Sequence, residues 1–594
     1  MVVDDLRRSP GTALTETPAP PLKLRVFTLY FHPLPETVRP TRVYGCFSRI
    51  CRRNAIPSWG SRIEHRSIEA RRRSDVGRLA TGGLLNLAGS AVGGALGFTI
   101  VVIATRSLGP SGAGLYFEGV AFLSISSHVL VLGADVGLVR SIGAHRSRGE
   151  IAEVRPMLLA ALTPTFLVGV LAAAVAYVAT PALAAILDRS GSGEALVRYL
   201  HVFVVALPFA AVYLACVAAT RGFGTMLPAV VIDKIGKPLL QVILLFMTVS
   251  LGWGAIALAA SWTIPIVIAL GAALTWLLFA GRHDSSDPAT YTPRTAREIF
   301  FAFWRFSLPR GIAATFQVLI LWLDTLLIGI LASAHAAGVY TASTRYVLLG
   351  TFAGVAIAQA VAPQLASMFA SDRRDRARAL FGTATTWGIA ATWPLFLTLA
   401  IYSRTVLLVF GAQFEEGAGV LAILSLAMLV ASATGPVDWV LLMGGKSGWN
   451  LLNTGLALAV NIALNLLLIP RIGITGAAIA WAASIIVNSV VPLLEAWLLL
   501  GMHPFSLGGL LAAAASVVCF GGAAVTIRAF LGDGVLALTV SIVASSVLYF
   551  GIVWRSRGLL DVEAIAAAVR PRRWERGALA DILGSSRSGA RASR

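Results

Sequence analysis

From residue 84 onward, apolar runs of about 17–25 residues recur along this chain, each long enough to cross roughly 30 Å of hydrocarbon as a helix. Inside hydrocarbon every backbone N–H and C=O must be satisfied within the chain, so only helices or closed barrels can span it. The runs fall at 84–103, 115–138, 157–179, 200–219, 232–251 and 255–279, then at 307–331, 339–369, 380–401, 417–443, 451–469 and 474–499. Two more, 507–529 and 535–554, follow. The expected fold class is an all-α membrane protein with about fourteen transmembrane helices.

Composition agrees. The 594 residues are 57% hydrophobic and only 13% charged, where soluble proteins carry about 25% charged residues. A net charge of +19 would suggest nucleic acid in a soluble chain, but here Arg and Lys gather between the apolar runs, where they orient helices. No nucleic-acid partner is expected. The four cysteines show neither zinc spacing nor a disulfide framework, and no pattern calls for a metal or cofactor.

The charged loops set the topology. Arg71 to Arg78 precede the first run; Arg146, Arg148 and Arg155 follow the second, and Arg221 the fourth. Arg282, Arg294 and Arg297 follow the sixth, Arg373 to Arg378 the eighth, Lys446 the tenth, and Arg555 to Arg573 the last. The alternate loops are short and poor in cations, so both termini are expected in the cytoplasm. Residues 1–78 carry no apolar stretch of the kind a cleavable signal needs. They read as a basic, disordered cytoplasmic tail, or as a basic arm on anionic lipid. Residues 557–594 form a second basic tail, in which 559–569 has the pattern of a short interfacial helix.

The chain repeats itself. Ala113-Gly114-Leu115-Tyr116 recurs as Ala337-Gly338-Val339-Tyr340, an offset of 340 − 116 = 224. Ala255-Ile256-Ala257-Leu258-Ala259-Ala260-Ser261 recurs as Ala478-Ile479-Ala480-Trp481-Ala482-Ala483-Ser484, an offset of 484 − 261 = 223. Each half holds six runs and starts from the same side, so the repeats are parallel, an arrangement in which rocking lobes give alternating access. The expected layout is an N-lobe at 79–281, a cytoplasmic connector at 282–298, a C-lobe at 299–500 around a shared central cavity, and two extra helices at 505–556.

The C-terminal half carries Asn461-Ile-Ala-Leu-Asn465-Leu-Leu-Leu-Ile-Pro470-Arg-Ile-Gly473-Ile-Thr-Gly476, Val409-Phe410-Gly411, and Asp324 ahead of Gly338-Val339-Tyr340. The N-terminal half has Arg106-Ser107-Leu108-Gly109-Pro110 ahead of Gly114-Leu115-Tyr116. In their order and spacing these resemble the polysaccharide-transporter, O-antigen flippase-like branch of the multidrug/oligosaccharidyl-lipid/polysaccharide (MOP) exporter superfamily, over about residues 80–500. The resemblance implies flipping of a polyprenyl-pyrophosphate-linked saccharide from the cytoplasmic to the outer face of a bacterial inner membrane. The implied partners are that lipid-linked oligosaccharide, membrane lipids, and glycosyltransferases or a polymerase of the same pathway.

A flippase must shelter a charged, hydroxyl-rich headgroup in a hydrated cavity, with cations for pyrophosphate and amides for sugars. Candidate cations are Arg305 and Arg310 at the start of the seventh run, Lys237 in the fifth and Arg140 closing the second, Arg310 foremost. Each is also where the positive-inside rule alone would put a cation. Asp324 and Arg345 lie at similar depths, roughly 10 and 13 Å from the nearest helix ends as counted on the sequence. They read as an interhelical ion pair, or as a substrate contact and a coupling-ion site. Asn461 and Asn465 share one helix face and read as sugar contacts or interhelical glue.

Other readings compete with this one. A lipid II flippase or a multidrug/cation antiporter would share the same fold. A polyprenyl-dependent glycosyltransferase or polymerase would want a large outer loop that this chain lacks. Gly444-Gly445-Lys446-Ser447 mimics the end of a P-loop, but Val440 stands where its first glycine belongs. No enzyme activity is expected.

Overall fold

The computed structural model describes residues 59–187, 193–283 and 295–556, and the regular structure among them is all helical. In order come α1 (Trp59–Leu130), α2 (Ala134–Ser147), α3 (Val154–Val178), α4 (Thr180–Leu187), α5 (Gly193–Gly222), a π-helical stretch (Ala229–Gly236) leading into α6 (Lys237–Ser250), and α7 (Ala255–His283). The second half has α8 (Ala296–Leu331), α9 (Ala334–Ala370), α10 (Arg374–Ile401), α11 (Ser403–Leu407), α12 (Ala418–Ala433), α13 (Val437–Met443) and α14 (Ser447–Leu500). It ends with α15 (Leu507–Ser516), a second π-helical stretch (Val517–Ala523), α16 (Ala524–Leu531) and α17 (Val535–Arg555). Eleven helical segments among the described residues are long and apolar enough to cross a membrane. The protein is a multi-pass membrane protein.

Eleven segments meet the fourteen expected runs because runs were joined or split. α1 and α14 each hold two, divided by non-helical backbone at Gly109 and at Ile472-Gly473. The run at 232–251 is shared between the first π-helical stretch and α6. The breaks obey the repeat. With the offset of 224, Gly109 falls on Ser333, the N-cap of α9; with 223, Gly473 falls on Ser250, where α6 ends.

Helix also begins earlier than the expected tail boundary at 78. α1 starts at Trp59, because residues 61–73 are mostly Arg, Glu, Ala and Ile with neither Gly nor Pro. The remainder of the first tail, the connector over 284–294 and the expected interfacial helix at 559–569 lie outside the described residues.

α5 is the axle of the first half, packed against α2, α3 and α7. In the second half α10 packs on α9, α12 and α15, and α14 on α12 and α13. α8 touches both sets, α2 and α3 on one side and α9 and α14 on the other. Its N-terminus is fixed by a capping box: the Thr295 hydroxyl accepts from Glu298 N at 3.3 Å, and Glu298 Oε2 accepts from Thr295 N at 3.1 Å.

Hydrocarbon gives helices little hydrophobic reward for meeting, so small residues that allow close van der Waals contact decide where they meet. The repeated motif supplies the closest meeting. A Cβ on Gly114 would lie 1.7 Å from Ala334 O, and one on Gly338 would lie 2.0 Å from Pro110 O. The two glycines that correspond in the repeat therefore face one another across the two halves. Beside them Arg106 donates from Nε to Val409 O at 2.7 Å, and Phe98, Tyr346 and Phe410 form an aromatic cluster with centroids 5.0–5.4 Å apart.

This joint is testable by cross-linking. Gly114→Leu and Gly338→Leu should each break the seal, read as loss of short bismaleimide cross-linking between cysteines placed at Phe98 and Phe410, whose rings lie 5.3 Å apart across it; a serine at either glycine should weaken it less. Unchanged cross-linking in both leucine variants would show that the backbones do not meet there.

Candidate functional site

Three arginines from three helices converge on one cavity. A space of 350 Å³ is lined by Asp135, Val136, Val139 and Arg140 of α2, Ala218 and Arg221 of α5, and Phe306 and Arg310 of α8. Phe306 and Arg310 are four apart and share a helix face. Arg310 Cζ stands 4.5 Å from the Phe306 ring centroid and Arg140 Cζ 4.0 Å, so one ring carries two guanidiniums. α2 reaches α8 because Gly133, at φ 78°, admits the backbone of Ser307 and Gly311: a Cβ there would sit 2.2 Å from Ser307 O. None of the three arginines has an ion-pair partner among the described residues, and all three are exposed. Pro309 has no N–H to give, which leaves the Arg305 carbonyl without its helical donor.

The other candidate cations lie elsewhere. Arg305 is exposed and does not line this cavity. Lys237 is held at 2.8 Å by Asp233, which also accepts from the Tyr213 hydroxyl at 2.6 Å, and its Nζ lies 5.0 Å from the Tyr213 ring. That arrangement clips the π-helical stretch to α5. It occupies the Lys237 charge locally.

Asp324 and Arg345 are not paired. Asp324 Oδ2 accepts from the Tyr340 hydroxyl at 2.7 Å and Oδ1 from Asn465 Nδ2 at 2.7 Å, while Asn465 Nδ2 also reaches Asn461 Oδ1 at 3.1 Å. All four side chains are buried, and the knot ties α8, α9 and α14 together. The reason is depth. α9 starts at Ala334, so Tyr340 lies about 9 Å in, level with Asp324, whereas Arg345 lies about 16 Å in and roughly 140° around the helix. Arg345 instead enters a 170 Å³ cavity between the halves, lined by Gly94, Phe98, Phe117, Trp262, Trp322 and Phe352 among others. Its Cζ stands 4.8 Å from the Trp322 ring, and its Nε has no hydrogen-bond partner among the described residues.

Thus Arg140 and Arg310 come together, Asn461 and Asn465 join Asp324, and Arg345, Arg305 and Lys237 stand apart. Sequence reasoning missed Arg221, treated only as a loop charge, and Phe306 as the ring beneath the guanidiniums. It also missed Tyr340, although Ser333 as an N-cap would have set the correct depth.

The geometry defines a helical membrane protein with a cationic cavity at one end and a buried carboxylate knot further along α8. Residues 79–369 match the sequence profile of a family described as polysaccharide biosynthesis protein. The chain is 25% identical over 247 residues to the probable low-salt glycan biosynthesis flippase Agl15 of Haloferax volcanii, covering 41% of this chain and 50% of that one. It therefore spans about half the length of that curated relative. Its fold is similar to that of the lipid II flippase MurJ in an inward closed conformation, with a TM-score of 0.65, 14% identity, and coverage of 80% of this chain and 99% of that one. It is similar also to an inward-facing MATE family multidrug resistance transporter of the MOP superfamily, with a TM-score of 0.59, 15% identity, and coverage of 70% and 98%. The resemblance drawn from the sequence holds at the level of fold, and the relatives named are themselves flippases and transporters.

The knot yields a stability prediction. Asn465→Ala strips one donor from a buried carboxylate and should cost about 1–3 kcal/mol, seen as a lower melting temperature in detergent. Arg345→Gln should leave the melting temperature near wild type. An equal drop for Arg345→Gln would restore the paired reading.

Proposed function

We propose that the protein is a flippase that carries a polyprenyl-pyrophosphate-linked saccharide from the cytoplasmic to the outer face of a bacterial inner membrane. The observation that carries this reading is the convergence of Arg140, Arg221 and Arg310 on one cavity, with no ion pair among the described residues to neutralise them. Guanidiniums offer planar forks that match phosphate oxygens, and three of them beside one Asp135 leave a net positive site. Stacking on Phe306 presents two of the forks without spending their N–H donors on carboxylates. A cavity of this sign suits an anionic headgroup and opposes a cationic drug.

The site lies at the end of the bundle flanked by the arginine-rich loops, which on the positive-inside rule is cytoplasmic, as are both termini. Lobes at 79–281 and 299–500 then rock about the sealed contact of Gly114 and Gly338, and the headgroup passes toward Arg345 between the halves. A coupling cation at Asp324 would have to displace the Tyr340 hydroxyl and Asn465 amide that hold its two oxygens. The relative named as a glycan biosynthesis flippase supports the saccharide class. Membrane lipids shelter the prenyl tail, and glycosyltransferases or a polymerase act before and after the flip.

Arg310→Ala should lower transport of a fluorescent polyprenyl-pyrophosphate saccharide into proteoliposomes by about tenfold or more, the size of one charge-assisted hydrogen bond. Arg310→Lys should retain part of the activity, and Arg305→Ala nearly all of it. Wild-type transport by Arg310→Ala at equal protein level would end this reading.

A further inference from the structure

Away from the arginine cavity, the first half carries a long lateral groove that the proposed transport path does not use. It encloses 510 Å³ between α5 and α7 and is closed at one end by α3. Val202, Val205, Ala206 and Phe209 of α5 form one wall, and Ile256, Ile264, Val267 and Ile268 of α7 form the other. Val205, Ile256, Ile264, Val267 and Ile268 are all exposed, so the groove opens sideways on to the hydrocarbon rather than inward.

Its two ends differ. At one lie Tyr177, Arg198 and His201, the only polar lining apart from Thr263. Tyr177 is one residue from the end of α3, Arg198 five from the start of α5, and Ile256 one from the start of α7, so all three sit at the same end of the bundle. The His201 ring packs 4.6 Å from the Tyr177 ring. Arg198 is exposed and has no ion-pair or hydrogen-bond partner among the described residues. From there the groove runs as apolar wall for eleven residues of α5 to Phe209 and twelve of α7 to Ile268, about 17–18 Å. That is close to one leaflet of a hydrocarbon core roughly 30 Å thick.

A one-leaflet apolar trough with a cation, an imidazole and a phenol at its interfacial lip has the chemistry of a phospholipid: chain below, phosphate above. We propose that this groove is a binding site for an anionic phospholipid of the leaflet on the Tyr177 side, one acyl chain lying between α5 and α7 and its phosphate held by Arg198, with His201 and Tyr177 beside it. The site is separate from the arginine cavity on α2, α5 and α8, and stands or falls without the transport reading.

The test uses the full chain in nanodiscs holding equal parts phosphatidylglycerol and phosphatidylcholine of matched chains, with retained lipid counted by native mass spectrometry. Wild type should keep phosphatidylglycerol in preference to phosphatidylcholine. Arg198→Gln should lower that preference by about tenfold, as expected when one charge-assisted hydrogen bond to the phosphate is removed. Val205→Trp, which fills the groove and keeps the charge, should lower retention of both lipids at this site. Unaltered phosphatidylglycerol retention in both variants would overturn the proposal, since the lipid would then be bound elsewhere. So would retention of added undecaprenyl phosphate with phosphatidylglycerol no better held than phosphatidylcholine, which would make the groove a carrier site.

Discussion

The contact on which this architecture depends is the meeting of two glycines. Gly114 and Gly338 occupy equivalent places in the repeat, and each lies where a side-chain carbon would strike the opposing backbone. In lipid, where apolar surface gains little by leaving its solvent, such backbone approach is among the few ways to hold helices together. Because the motif contacts its own copy, the joint is self-complementary, as across a two-fold axis. The neighbouring contacts, Arg106 on the Leu408 and Val409 carbonyls and the Phe98, Tyr346 and Phe410 cluster, are added around that joint.

Charge inside the bundle is handled in two opposite ways. Asp324 is enclosed by neutral donors that satisfy both oxygens, and three helices are tied together in consequence. Breaking such a knot on one side leaves a buried polar group unmade, which is why its partners matter for stability. Arg140 and Arg310 receive no carboxylate among the described residues. They lie over Phe306, whose ring orients them at modest energetic cost and leaves their donors available. The first arrangement fixes helices; the second presents charge to something outside the chain.

Much of this was legible in the sequence, because lipid imposes length and polarity rules that soluble folds escape. The apolar runs marked the helices, and the breaks in α1 and α14 fall where the offset of the repeated motif sets helix ends in the other half. The joining of runs was not legible: Gly109, at φ 65°, breaks the helix at a single residue and helix resumes at once, where the runs at 84–103 and 115–138 had suggested a longer loop. The arginine cavity was legible in part, since Arg140 and Arg310 follow from their places at helix ends. Arg221 and Phe306 needed the packing of α2 on α8, which rests on glycine contacts that sequence spacing does not report. The Asp324 partner was misjudged because depth was taken without helical rotation: Arg345 lies five residues, about 140°, past Tyr340 on α9.

α8 joins these themes. Its first turns lie against α2 and α3, where Gly311 meets Gly133; its last turns lie against α9 and α14, where Asp324 is tied. Arg310 and Asp324 are fourteen residues apart, about 21 Å along a continuous helix. One end is therefore bound to the first half of the chain, and the other is tied to the second while Gly329 also meets the Glu118 side chain of α1. Pro309 stands beside the first attachment and removes the hydrogen bond that would stiffen it. Any displacement of the halves must then either break the Asp324 knot, slide the Gly133–Gly311 contact, or bend α8 at Pro309. Of these, bending costs no buried polar group and no close-packed glycine, so the helix that carries Arg310 is softest next to that residue.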